Sequence, residues 1–233
     1  MTALKLAVPS KGRLQADTIA WFAQHGIDIR PAEGGREYSG TVRGIDGVEL
    51  VLLSAGEIPR EMKAGRVHLG LTGRDMVRER ISGWEHVVRE RAVPGFGFAD
   101  LVVAVPAFWR DVEDLDDLDA AAAAFREAHG FRLRIATKYH LLTREFLQAR
   151  DVADYQLVDS QGATEGTIRN LTAEAIADIT TTGETLRANH LKVLQDGLIL
   201  KSEAVLFEAL AASWTTEAIG ARDEIAARLA RAV

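Results

Sequence analysis

Residues Ala173–Leu191 read AEAIADITTTGETLRANHL, and the order of residue types in that stretch decides the fold. Ala175 to Ile179 have the length and apolar character of a buried strand, and TLRANHL reads as the helix that follows. The segment between them, Thr180 to Thr185, then lies at the carboxyl end of a strand and the amino end of a helix. Backbone N–H groups at such a position favour an anion, by about 0.3–1 kcal/mol where exposed. Thr180, Thr181, Thr182 and Thr185 add hydroxyl donors around Glu184, and Gly183 lets the backbone close around an oxyanion. Asp178, at the rim, cannot hold a phosphate but is suited to accept hydrogen bonds from sugar hydroxyls. An acid ahead of a hydroxyl-rich, glycine-containing loop fits a phosphorylated ribose better than a bare phosphate. A plain capped turn stays open as the alternative, because threonine commonly caps helices.

The same strand-to-helix rhythm runs outward in both directions. LKLAVP, VELVLLS, VHLGLTG, HVVRERAV, ADLVVAVP, FRLRIAT and YQLVDS read as strands. LQADTIAWFAQHG, EIPREMKAG, RDMVRER, DVEDLDDLDAAAAAFREAHG and YHLLTREFLQAR read as helices between them. The last part, GLILKSEAVLFEAL and TTEAIGARDEIAARLARAV, closes with a strand pattern and a helix. The acids ahead of the alanine run suit the positive start of a helix better than a metal site. Alternation this persistent predicts an α/β fold with mostly parallel sheets. PGFGF, at 94–98, marks a break and a domain crossing.

Composition narrows the chemistry. With 233 residues the chain has ample length for a core, and it contains no cysteine, which excludes disulfides and thiolate chemistry. His86, His129, His140 and His190 stand apart, without metal-ligand spacing. A formal charge of −6 and no dominant basic tract predict no nucleic-acid partner. No segment approaches the roughly 20 apolar residues of a membrane span, and MTALKLAVPSKGRL has no secretory apolar core, so no membrane association and a cytoplasmic location are expected.

Two further loops sit where a strand gives way to a helix. VPSKGRL places Lys11 and Arg13 beside Gly12, two cations able to hold a polyphosphate, although a solvated basic turn is as good a reading. ATKYH places Thr137, Lys138 and Tyr139 at the end of another strand. A substrate with several phosphate groups would use all three loops. The Walker A pattern is missing, which disfavours a P-loop NTPase.

Taken together and in order, VPSKGRL, EIPREMKAGRVHLGLTGRD, LRIATKY, GATE and DITTTGETLRANHL resemble the ATP phosphoribosyltransferase family in its short form, over nearly the whole chain. The resemblance implies a type II periplasmic-binding-protein-like pair of lobes with a cleft between them. It divides the chain into 1–93 plus 192–233 and 94–191, with crossings near Pro94 and Leu191. It implies condensation of ATP, through adenine N1, with phosphoribosyl pyrophosphate, release of pyrophosphate, and a requirement for Mg²⁺ carried with the substrates. It also implies an oligomer that works with a regulatory subunit resembling a histidyl-tRNA synthetase.

Carried over by motif, Asp178 would meet the ribose hydroxyls and Thr180 to Thr185 the 5′-phosphate, with Glu165 of GATE as a further acid of that site. Lys11, Gly12, Arg13, Asp75, Thr137, Lys138 and Tyr139 would serve ATP. Arg13 and Arg36 would stabilise the departing pyrophosphate, with no nucleophilic side chain and no obligatory base, since N1 attacks without losing a proton. Four positions depart from the family: Ser54 for a common arginine, His68 for aspartate, no proline in GTIRNLT, and His190 for glycine. Two rival readings stand beside this one. One is a two-lobed small-molecule binding protein; the other is a nucleobase phosphoribosyltransferase, against which the single acid Asp178 after Ala177 counts.

Overall fold

The computed structural model describes residues 3–32, 39–160 and 162–231. The chain forms two compact units, Met1–Gly97 with Glu203–Val233, and Phe98–Ser202. In chain order the first unit begins with β1 (Leu4–Pro9), α1 (Gly12–Gln24), β2 (Asp28–Pro31), β3 (Ser39–Arg43), β4 (Val48–Leu53), α2 (Ile58–Lys63), β5 (Leu69–Gly73), α3 (Arg74–Arg80) and β6 (Val88–Ala92). The second holds β7 (Ala99–Pro106), α4 (Leu115–His129), β8 (Leu133–Thr137), α5 (His140–Gln148), β9 (Tyr155–Asp159), α6 (Gly166–Arg169), β10 (Ala175–Thr180), α7 (Glu184–Ala188) and β11 (Leu191–Ser202). The first unit is completed by β12 (Ala204–Ala209) and α8 (Thr216–Leu229).

Each unit is built on one sheet, ordered β2-β3-β4-β1-β5-β12-β6 in the first and β11-β7-β10-β8-β9 in the second. The central strands are apolar on both faces because helices cover both. On β1, Leu4, Leu6 and Val8 face one cluster with Phe22 and Ile225, while Ala7 faces another with Ile58 and Met62. In the second unit Val103, Val105, Ala175 and Ala177 face α4 through Leu115 and Leu118, whereas Val102, Ala104 and Ile176 face Leu186 of α7. This two-residue alternation between buried faces is why the strands read as continuous apolar runs. Each large side chain buried there contributes about 1.5–3 kcal/mol.

Two expectations are corrected in detail. The sheets are more mixed than mostly parallel: β1 with β4 and β5, and β8 with β9 and β10, are parallel. The other pairings among the described residues are antiparallel; a hydrophobic pattern carries no strand direction and so does not foretell them. The units also divide after Gly97 and Ser202, not at 93/94 and 191/192. Residues 191–202 stay with the second unit because β11 pairs antiparallel with β7 from Leu191↔Pro106 to Ser202↔Ala99.

The two places where the chain changes unit are fastened together on the first unit. The Ala204 N–H donates to the Phe96 carbonyl at 3.0 Å, and the Arg74 N–H to the Glu203 carbonyl at 3.0 Å. The Arg74 side chain adds bonds to Glu90 (2.8 Å) and Glu203 (3.0 Å), and those carboxylates, Glu90 foremost, raise its already high pKa. Gly97 has φ +69°, and a Cβ there would come within 3.0 Å of the Ala204 side chain. Only glycine meets both demands.

Both departures Ser54 and His68 have structural work. The Glu57 carboxylate accepts the Ser54 N–H at 2.9 Å while the Ser54 carbonyl accepts the Glu57 N–H at 2.9 Å, closing the turn that opens α2. Hydrogen bonds from Ser54, first its side chain and then its amide, hold the Glu57 carboxyl below its ordinary value. His68 is buried; its Nδ1 accepts the Lys5 N–H at 3.0 Å, so Nε2 carries the hydrogen toward the Ser213 carbonyl 3.2 Å away. Replacing His68 with phenylalanine keeps a ring against Trp214 but strips both backbone groups of their partner. A buried group left unpaired costs about 1–3 kcal/mol, and these two groups are only partly buried, so His68→Phe should lower the urea midpoint by the equivalent of the low end of that range without changing the m-value; an unchanged midpoint would remove the bridging role.

Candidate functional site

β10 carries the site because its apolar residues run out at one point. Ala175, Ile176 and Ala177 are fully buried, Asp178 is half-buried, and Ile179 is exposed. Three residues, Thr181 to Gly183, then turn the chain into α7. The loop is held by its own hydroxyls. Thr180 Oγ1 accepts the Gly183 N–H at 2.9 Å and Thr182 Oγ1 accepts the Glu184 N–H at 3.3 Å. The Thr181 hydroxyl donates to the Phe98 carbonyl at 3.2 Å. A hydroxyl that accepts one bond keeps its own hydrogen to donate, so Thr180 and Thr182 still offer donors outward. Gly183 lies at φ +72°, in the left-handed region that a β-substituent disfavours.

A hollow of about 250 Å³ opens here, lined by Glu165, Asp178, Thr180, Thr181, Thr182, Glu184 and Thr185, with Ala99, Ile179 and Leu186 as apolar wall. Asp178 Oδ1 accepts the Ile179 N–H at 2.8 Å, which fixes the carboxylate and leaves its second oxygen to accept from a ligand. Glu165 sits at the N-cap position of α6, without a side-chain capping bond, at the end of a turn knotted by hydroxyls: buried Ser160 Oγ donates to buried Thr164 Oγ1 at 2.9 Å, and the Thr167 hydroxyl to the Thr164 carbonyl at 2.6 Å. The structure thus brings the GATE acid and the threonine loop into one cavity, although thirteen positions separate Glu165 from Asp178.

The other expected residues divide. Thr137 is buried and its Oγ1 accepts the Tyr139 N–H at 2.9 Å; Tyr139 is itself 3% exposed. Both side chains therefore build the turn and core beneath ATKYH. Lys138 is exposed, with Nζ donating to the Gly162 carbonyl. In the first unit, Lys11 caps α1 in extended conformation, Gly12 has φ +78°, and the Arg13 side chain is 92% exposed beside Asp17 at 3.5 Å. Asp75 is buried at the start of α3, where its Oδ1 would lie 2.2 Å from a Cβ on Gly73. Arg36 lies outside the described residues.

Sequence reading missed Arg187. A Cβ on Gly183 would stand 2.9 Å from Arg187 Nη1, so the guanidinium lies over the glycine. The signal was present: Arg187 is four residues after Gly183, one helical turn on, and its N–H donates to the Gly183 carbonyl at 3.0 Å. The expected helix TLRANHL also ends early, at Ala188. His190 sits at φ +57°, a left-handed residue where the family resemblance leads one to expect glycine.

Comparison with known proteins follows the same lines. The family model described as HisG: ATP phosphoribosyltransferase matches residues 54–231. An ATP phosphoribosyltransferase of Cereibacter sphaeroides is 66% identical over 226 residues, spanning 97% of this chain and 95% of its own. Among solved structures, an ATP phosphoribosyl transferase (HisG:HisZ) complex from Thermotoga maritima aligns with TM-score 0.72 at 20% identity, over 97% of each chain. An ABC-transporter choline binding protein aligns with TM-score 0.55 at 11% identity, over 96% of this chain and 76% of its own. At those identities the two structures speak for the fold, which is the expected type II periplasmic-binding-protein-like α/β pair of lobes.

Thr180→Val tests the self-capped loop. Without the hydroxyl the Gly183 amide loses its acceptor, and its hydrogen exchange should quicken by at least about tenfold, a bond's worth of protection, while β10 amides keep theirs. Unchanged exchange at Gly183 would mean the loop is held by something else.

Proposed function

The chain belongs to the ATP phosphoribosyltransferase family, whose reaction is the first step of histidine biosynthesis, and we propose that it grips phosphoribosyl pyrophosphate in the β10–α7 hollow while adenine N1 of ATP displaces pyrophosphate. The observation that supports this reading is the composition of one cavity: two acids, Glu165 and Asp178, beside a run of threonine hydroxyls.

The free oxygen of Asp178 accepts from the ribose hydroxyls, and Glu165 offers a second acceptor across the cavity. Thr180, Thr182 and Thr185 donate to the 5′-phosphate, with Gly183 and Glu184 shaping the backbone around it. Little covalent work is left for the protein. Bond breaking at the anomeric carbon builds positive charge on the ribose and negative charge on the leaving pyrophosphate, so catalysis rests on alignment and charge neutralisation. Arg13 is suited to the pyrophosphate because its side chain is 92% exposed and, among the described residues, its one ion pair is to Asp17 at 3.5 Å. Arg36 is the second cation of that role, and Lys11, Gly12, Lys138 and Asp75 complete the set for ATP.

Mg²⁺ fits this donor set: carboxylates line the cavity and the substrates bring phosphate oxygens, the combination it prefers over an all-protein cage. Bound with the pyrophosphate, it would neutralise part of the leaving charge. A histidyl-tRNA synthetase-like regulatory subunit and an oligomeric assembly belong to the same proposal, supported by the Thermotoga relative's description as a complex. A cytoplasmic reaction belongs to the same proposal; among the described residues no helix is long and apolar enough to cross a membrane.

Pyrophosphate release measured with phosphoribosyl pyrophosphate and either ATP, adenine or no acceptor decides between the readings. Release with ATP alone is expected; release with adenine would make the chain a nucleobase phosphoribosyltransferase, and none at all would favour a binding protein. Asp178→Ala should raise KM for phosphoribosyl pyrophosphate by about 10- to 100-fold, the value of hydrogen bonds to a charged group, with KM for ATP within about twofold.

A further inference from the structure

We infer that Arg187 supplies the positive charge for the 5′-phosphate in the β10–α7 hollow, a role that rests on the phosphoribosyl reading of that cavity. The charged side chains lining the hollow are Glu165, Asp178 and Glu184, three formal negative charges and no cation. A phosphate dianion placed among the threonines would meet three carboxylates with only neutral donors to offset them. Hydroxyls and amides orient an anion, but repulsion of this kind needs a countercharge close by.

Arg187 is placed to provide it. Its guanidinium lies over Gly183, at the middle of the loop, close enough that a Cβ on that glycine would stand 2.9 Å from Nη1. Glycine is demanded here by φ +72°, and its missing Cβ also leaves the guanidinium room to lie over the loop. The side chain is exposed, and among the described residues no carboxylate pairs with it. That is notable in a loop where Glu184 lies three positions away, at a spacing that commonly makes a helix ion pair. An exposed arginine with no carboxylate partner among the described residues has donors available to a ligand, and its planar fork matches two phosphate oxygens.

Calorimetric titration with three probes separates the outcomes: ribose 5-phosphate, inorganic pyrophosphate and ATP, each against the parent chain, Arg187→Ala, Arg187→Lys and Asp178→Ala. Arg187→Ala should bind ribose 5-phosphate about 10- to 100-fold more weakly, with pyrophosphate and ATP within about twofold, and Arg187→Lys should recover part of the loss. Ribose 5-phosphate binding within twofold of the parent would overturn the role of Arg187. So would equal weakening of all three probes, which would make Arg187 a brace of the fold. If the parent binds ribose 5-phosphate and neither Arg187→Ala nor Asp178→Ala weakens it, the sugar phosphate lies elsewhere and the reading of the cavity falls too. If Asp178→Ala alone weakens it, the cavity stands without Arg187.

Discussion

β10 occupies the middle of the second sheet, parallel to β8 and antiparallel to β7, with Ala175 and Ala177 against one apolar cluster and Ile176 against the other. That two-sided burial fixes its register, since a slip by one residue would send small and large side chains to the wrong faces and drag Asp178 toward the core. Asp178 is thus the first residue at which the strand may carry charge, and the hydroxyl loop follows at once. The position of the acid relative to the loop is a consequence of packing beneath it. Helices on both faces supply that packing, which ties the site to the whole second unit.

The electrostatics of the hollow explain its composition. Acids suit sugar hydroxyls, which are neutral donors, and are a poor surface for phosphate. The loop answers by spending threonine hydroxyls on its own amides, which hardens the turn, while each such hydroxyl keeps a hydrogen to give. Arg187 over Gly183 completes the balance from outside the lining. On the first unit, by contrast, Arg74 is fully engaged by Glu90 and Glu203, so its charge serves the fold and holds the crossing segments together.

Much of this was legible in the sequence, for identifiable reasons. Central strands such as LKLAVP and ADLVVAVP announce themselves because both faces are buried. The threonine loop could be named because chemistry of that kind needs those residue types, and the acid of GATE because the family resemblance implies it. What stayed hidden was orientation. KSEAVL shows no glycine or proline at Ser202, so the second crossing gives no compositional signal, whereas Gly95 and Gly97 mark the first. β2 and β3, short and at the sheet's edge, lack the apolar run that betrays a strand. Thr137 and Tyr139 look like ligand donors in sequence, but the backbone turns them inward. The departures at Ser54, His68 and His190 read as losses from a family pattern; Ser54 closes a local turn, His68 bridges backbone groups distant in sequence, and His190 occupies a left-handed helix end.

The central claim is that the loop after Asp178 holds the dianionic end of a sugar ester. Crystals of the chain soaked with phosphoribosyl pyrophosphate test it most directly. The account predicts density for the 5′-phosphate within hydrogen-bond distance of Thr180, Thr182 and Thr185, with the ribose hydroxyls on Asp178. A loop left vacant while the compound occupies another part of the molecule would contradict it.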